Sequence, residues 1–146
     1  MIGIIVTGHG HFAEGLTSAI ELIAGKQDNY KVVTFEQEKT PEVLSLDIQA
    51  AISELNTDQG VLVFTDLKGG TPYKESVMLS MSNDNVFVFG GTNIAMLLEA
   101  TLMRLGEPEL EGFAQALLQT GIDQVDLFDP KSLTRASSED EDEDGI

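Results

Sequence analysis

The chain has 146 residues, no cysteine, 42% apolar residues and a formal net charge of −17, which suits one domain with one sizeable core and excludes disulfides, thiolate chemistry and thiolate metal sites. Six of the negative charges fall in Glu139–Asp144, leaving −11 on the rest; that balance argues against nucleic acid or an anionic membrane as partner and suits a partner with a basic patch. No apolar run approaches the ~20 residues of a membrane span and no basic segment leads into the first apolar stretch, so a cytoplasmic protein without membrane insertion is expected.

The first element is the apolar, β-branched run Ile2–Val6, as expected of a strand buried on both faces. It breaks into Thr7-Gly8-His9-Gly10-His11, a glycine-rich turn that holds the chain's two histidines. Phe12, Leu16, Ala19, Ile20 and Ile23 then recur at helical spacing, with Gly25 as the stop. Lys31–Phe35 reads as a second strand. Thr40-Pro41 opens a second helix, Thr40 as N-cap and Pro41 at the first helical position; its stripe runs from Val43 through Leu44, Ile48, Ala51, Ile52 and Leu55.

Gly60–Thr65 is the strongest strand signal in the chain. It leads into Asp66-Leu67-Lys68-Gly69-Gly70-Thr71-Pro72 and a helix over Tyr73–Met81, with Thr71 expected as N-cap. Asn85–Phe89 is a fourth strand, Gly90-Gly91-Thr92 a turn, Asn93–Leu105 a helix, and Glu109–Gln119 a further helix closed by Gly121. Gln124–Phe128 reads as a last strand. Strand and helix alternate, so the expected fold is α/β: one domain over residues 1–130, an open, mostly parallel four-stranded sheet with helices on both faces, and a C-terminal strand added. Residues 131–146 lose the apolar pattern and read as an acidic, disordered tail.

In open parallel sheets ligands bind beyond the carboxyl ends of the strands. Three turns are expected at that edge: Thr7–His11, Asp66–Pro72 and Gly90–Asn93. If strands one and three are neighbours, His9 meets Asp66. A carboxylate on one imidazole nitrogen fixes the tautomer and leaves the other nitrogen as a nucleophile. Gly8 and Gly10 leave room for a bulky donor. Gly69, Gly70 and Thr71, opening a helix, offer amides and a hydroxyl to an anion. A nucleophilic imidazole beside an anion cradle points to reversible phosphoryl transfer on histidine, with His9 and Asp66 catalytic and Gly69, Gly70 and Thr71 binding phosphate.

Other chemistries find less support. "LKGGTP" has its lysine before the glycines, so it is not a P-loop; "GHGHFA" matches only part of a dinucleotide fingerprint; no G-x-S-x-G elbow is present. A metal site on the two histidines, His9 and His11, lacks a third ligand at a fixed spacing, and His11 is expected at a solvent-facing helix start. No metal or cofactor is expected.

"IIVTGHG", "GVLVFTDLKGGTP" and "GGTNIAMLLE", in this order and spacing, resemble the IIA component of the mannose-type family of the bacterial sugar phosphotransferase system, over Met1 to about Phe128. The resemblance implies a phosphocarrier that takes a phosphoryl group from the histidine phosphocarrier HPr and passes it to a histidine of a IIB component. It places the active-site histidine at His9 and the imidazole-orienting aspartate at Asp66, and sets Thr71 where the family usually has serine. It implies a homodimer with an exchanged C-terminal strand, for which Gln124–Phe128 is the counterpart. Two alternatives stay open at this point: a IIA-like subunit serving dihydroxyacetone kinase, and a non-catalytic module switched by phosphorylation of His9.

Overall fold

The computed structural model describes residues 1–133; the acidic run Glu139–Asp144 lies outside the described residues. The order is β1 (Gly3–His9), α1 (Phe12–Ala24), β2 (Tyr30–Phe35), α2 (Pro41–Glu54), β3 (Val61–Thr65), α3 (Thr71–Ser80), β4 (Val86–Phe89), α4 (Ile94–Met103), a 3-10 turn over Arg104–Gly106, and α5 (Leu110–Asp123). The four strands form one sheet in the order β2-β1-β3-β4. Every pairing is parallel, so the expected mostly parallel sheet is wholly parallel.

Successive side chains of a strand point to opposite faces, and the sheet separates its core accordingly. On one face Ile2, Ile4, Val6, Leu62 and Phe64 pack with residues of α1, α4 and α5, among them Ile20, Leu97 and Leu117. On the other, Ile5, Val61, Val63 and Val86 meet Leu44, Ile48 and Ala51 of α2, with Leu79 of α3 at the margin. Each fully buried Ile or Leu contributes about 1.5–3 kcal/mol. Val43, expected to open the apolar stripe of α2, is exposed instead.

The segments that enter β1 and β2 are tied by one buried cation. Arg104, 1% exposed, donates from Nη1 to the carbonyls of Ile2 (2.7 Å) and Asn29 (3.1 Å), and from Nη2 to that of Asp28 (2.5 Å). Asn29, at φ +51°, donates from Nδ2 to the carbonyls of Met1 and Asn56, and its Oδ1 accepts from the Asn56 N–H. One guanidinium and one amide thus supply donors to the chain segments that enter β1, β2 and β3.

Four local expectations are corrected. β1 does not stop at Val6: Thr7, Gly8 and His9 continue the ladder, with Thr7 opposite both Val33 and Thr65, and His9 opposite Phe35. Pairing across the sheet outweighs the weak strand preference of that stretch. The N-cap of α3 is Gly70, not Thr71, which is the first helical residue. Gly121 does not end α5; it lies inside the helix because a Cβ there would come 2.7 Å from Met96 Sδ. Gln124–Phe128 forms no strand within the described chain.

Candidate functional site

The carboxyl ends of β1 and β3 lie side by side, since Thr7 pairs with Thr65. His9, two residues past Thr7, and Asp66, the residue after Thr65, come together there. Asp66 Oδ2 accepts from the His9 backbone N–H at 2.7 Å and lies 2.8 Å from His9 Nδ1. Its other oxygen, Oδ1, accepts from the Leu67 N–H at 2.7 Å. An ionised carboxylate only accepts, so Nδ1 carries a proton, and in the neutral ring it is Nε2 that presents the lone pair.

The Asp66 side chain is 14% exposed and that of His9 48%. Burial alone would raise the Asp66 carboxyl above its usual range. The backbone N–H of His9, the His9 ring and the Leu67 N–H outweigh it and hold the carboxyl below its ordinary value. Asp66 therefore stays an anion while only half of the imidazole surface faces solvent.

The main chain beneath Asp66 is fixed as well. Its carbonyl accepts from the Gly91 N–H at 2.6 Å, and that of Thr65 from the Thr92 N–H at 3.1 Å. The turn Gly90–Asn93, expected at the ligand edge, thus buttresses the loop that carries the carboxylate.

Glycines shape the space around the ring, though not as the sequence suggested. A Cβ at Gly8 would approach Phe12 Cδ1 to 2.5 Å and Asp66 Cγ to 3.0 Å, so Gly8 admits the carboxylate. Gly10 has φ +56° and open space around it. The glycine against the imidazole is Gly70: a Cβ there would come 2.9 Å from His9 Cε1. Its φ of −74° suits any residue, so the position needs room rather than conformational freedom.

Gly70 also closes the turn, donating its N–H to the Leu67 carbonyl at 2.9 Å. The first helical hydrogen bond of α3 runs from the Lys74 N–H to the Gly70 carbonyl. The Thr71 and Tyr73 amides in the first turn of α3 therefore have no acceptor in the described chain, as at the start of any helix, and Pro72 has no N–H to offer. Phe35, which sequence reasoning passed over, packs edge-to-face on His9 with ring centroids 5.6 Å apart. Its signal was the strand register, which a single sequence does not display.

His11 stands apart. It precedes α1, is exposed, and its Nδ1 lies 2.5 Å from Glu14 Oε1. The bond to Glu14, the charge of Glu14 and then that of Glu36 raise its pKa. Among the described residues, no group of three His, Cys, Asp or Glu side chains is arranged to hold a metal ion. No helix there is long and apolar enough to cross a membrane.

Residues 3–118 match the family described as the PTS system fructose IIA component. The mannose-specific EIIAB component of the phosphotransferase system (PTS) of Escherichia coli strain K12 is 28% identical over 136 residues, covering 93% of this chain and 42% of that protein. The chain thus spans less than half the length of that relative. The sorbose-specific EIIA component of Lacticaseibacillus casei is 33% identical over 99 residues, 68% of this chain and 71% of that one. Among solved structures, the phosphotransferase component EIIA from Streptococcus agalactiae superimposes with a TM-score of 0.79 at 30% identity, covering 86% of this chain and 96% of that chain. The mannose/sorbose-specific IIA subunit from Enterococcus faecalis gives 0.79 at 26% identity, covering 88% and 95%. The chain belongs to the mannose/fructose/sorbose family of IIA components of the sugar phosphotransferase system.

Proposed function

We propose that this IIA-family chain is a cytoplasmic phosphocarrier: His9 Nε2 accepts a phosphoryl group from the phosphohistidine of HPr and hands it to a histidine of a IIB component serving uptake of a sugar. The observation that carries this reading is the double engagement of Asp66 Oδ2 by the backbone and the Nδ1 of the same histidine, at 2.7 and 2.8 Å. One carboxylate thereby orients the ring, sets its tautomer and offsets the positive charge that the ring gains on attack.

The chemistry balances without a cofactor. The Nε2 lone pair forms a P–N bond to His9 as the P–N bond to the donor imidazole breaks, and the electron pair of the broken bond stays on the donor nitrogen. In a loose transition state the charge spreads over three equatorial oxygens. The Thr71 hydroxyl, the Thr71 and Tyr73 amides and the exposed Gly69 segment are the groups we assign to those oxygens, with Gly70 as the wall of the ring. Thr71 retains the hydroxyl this role needs.

The protein acts as a homodimer in this reading, with Gln124–Phe128 laid on the partner. Val125 and Leu127 are 82% and 91% exposed, which is costly for an apolar segment without a cover. β4 is an edge strand, and beside it runs a groove of about 460 Å³ lined in part by Tyr73, Phe87, Phe89 and Leu118. An extended apolar segment suits such an edge.

The test is phosphorylation with phosphoenolpyruvate, enzyme I and HPr, comparing the wild type with His9→Ala and His11→Ala. Acid-labile label lost only in His9→Ala is the expected result. Absence of label in the wild type, or label that survives His9→Ala, overturns the reading.

A further inference from the structure

The imidazole of His9 is held by three neighbours, and only one of them is polar. Asp66 takes Nδ1, and Gly70 lies against Cε1. The third is Phe35, edge-to-face at 5.6 Å with an interplanar angle of 69°.

Phe35 is not a chance neighbour. It ends β2 directly opposite His9 in the ladder. Its carbonyl accepts from the Gly10 N–H at 2.8 Å, which carries the pairing one residue past the strand. Its side chain is anchored in the core cluster beneath α2. The ring therefore sits on a rigid element whose position relative to His9 is fixed by backbone hydrogen bonds on both sides.

The consequence concerns which nitrogen reacts. A half-turn of the imidazole about Cβ–Cγ exchanges Nδ1 with Cδ2 and Nε2 with Cε1. The turned ring would present Cδ2 to Asp66 and press Nε2 against Gly70, where Cε1 now lies. We infer that Phe35 is a positioning residue for phosphoryl transfer: Asp66 and Gly70 disfavour the half-turned ring, and the Phe35 ring limits tilting of the imidazole plane, so that Nδ1 stays in line with Asp66 and Nε2 stays aimed outward to attack. This rests on His9 being the phosphoryl acceptor. An edge-to-face aromatic pair biases an equilibrium by about 2- to 12-fold, and near-attack alignment makes such a bias felt in rate.

The experiment compares wild type, Phe35→Ala, Phe35→Leu and Phe35→Tyr, each shown folded by thermal unfolding. Three readouts are taken: kcat and KM with phospho-HPr as donor, the ratio of Nε2- to Nδ1-phosphohistidine by NMR, and the ¹H–¹⁵N pattern of the unphosphorylated His9 ring. The expected result is a fall of about 2- to 12-fold in kcat for Phe35→Ala and Phe35→Leu with KM little changed. The Nδ1–H signal of His9 should shift and broaden in both variants as the ring tilts on Asp66, and Phe35→Tyr should restore kcat and the wild-type ring spectrum. Phe35→Leu keeps most of the apolar bulk, so it separates loss of the ring from loss of packing. Folded Phe35→Ala and Phe35→Leu variants with wild-type kcat and a wild-type ring spectrum overturn the inference. A wild type that takes no label overturns instead the assignment of His9 as acceptor. The ring spectra need no phosphate, so they decide the role of Phe35 in either case.

Discussion

The two ends of the sheet handle charge in opposite ways. At the amino ends of the strands, Arg104 is buried; its Nη donors go to three backbone carbonyls and the Gln27 side chain, and its Nε has no partner among the described residues. At the carboxyl ends, Asp66 is mostly covered and its oxygens take backbone N–H groups and one imidazole that stays half exposed. Both ions are matched to main-chain dipoles, which limits the cost of burying them. The first holds only fixed partners and can serve only the fold. The second holds one partner that faces solvent, and that partner is where chemistry can occur. A buried charge becomes functional when one of its partners stays within reach of another molecule.

Substitutions should separate the two ends. Asp66→Asn should have the largest effect, a fall of about 10²–10⁴-fold in phosphoryl transfer, because an amide no longer dictates the imidazole tautomer. Its unfolding midpoint in denaturant should move little. Arg104→Met should do the reverse: it removes the Arg104 donors from the Ile2 and Asp28 carbonyls, leaves that of Asn29 with the Ile4 N–H alone, and should cost about 3 kcal/mol of stability in urea unfolding. Transfer per folded molecule should be unchanged. An Arg104→Met protein that is stable yet inactive would erase the distinction between the two ends.

Gly70→Ala should be milder, about 10-fold in transfer rate, because it crowds the ring at Cε1 while its backbone angles suit alanine. Its unfolding free energy should stay within about 1 kcal/mol of wild type. The smallest effect is on the pH dependence of stability. The Asp66 pKa is lowered in the folded state, so its contribution is present above the ordinary carboxylate value of about 3.9 and is lost as pH falls through the folded-state value. Unfolding curves of wild type and Asp66→Asn should therefore converge on acidification. Curves that stay parallel through that window would remove the carboxylate's share in stability.

Much of the site was legible because parallel α/β topology sends ligand chemistry to the strand ends, and because His9 closes one unmistakable strand and Asp66 follows another. Their meeting needed only that β1 and β3 be neighbours. Gly70 and Phe35 were not legible in the same way. The role of Gly70 is a void for a ring that comes from 61 residues earlier, and that of Phe35 follows from a ladder register. The misread boundaries share one cause. Thr7-Gly8-His9 looks like a turn, Thr71-Pro72 like a cap and Gly121 like a stop when only local preference is weighed. Pairing on two sides, a second glycine and a methionine on the facing helix decide otherwise. Arg104 gave no local sign, since nothing near it in sequence is its partner.

The bond from the Gly91 N–H to the Asp66 carbonyl, 2.6 Å long, gives the spectroscopist a reporter. That amide should exchange slowly with deuterated solvent and resonate well downfield. It belongs to a loop remote from the imidazole in sequence, yet it follows every displacement of the segment that carries the carboxylate. Titrating the protein with a donor or acceptor while watching this one proton would register events at the site with no label on the histidine itself.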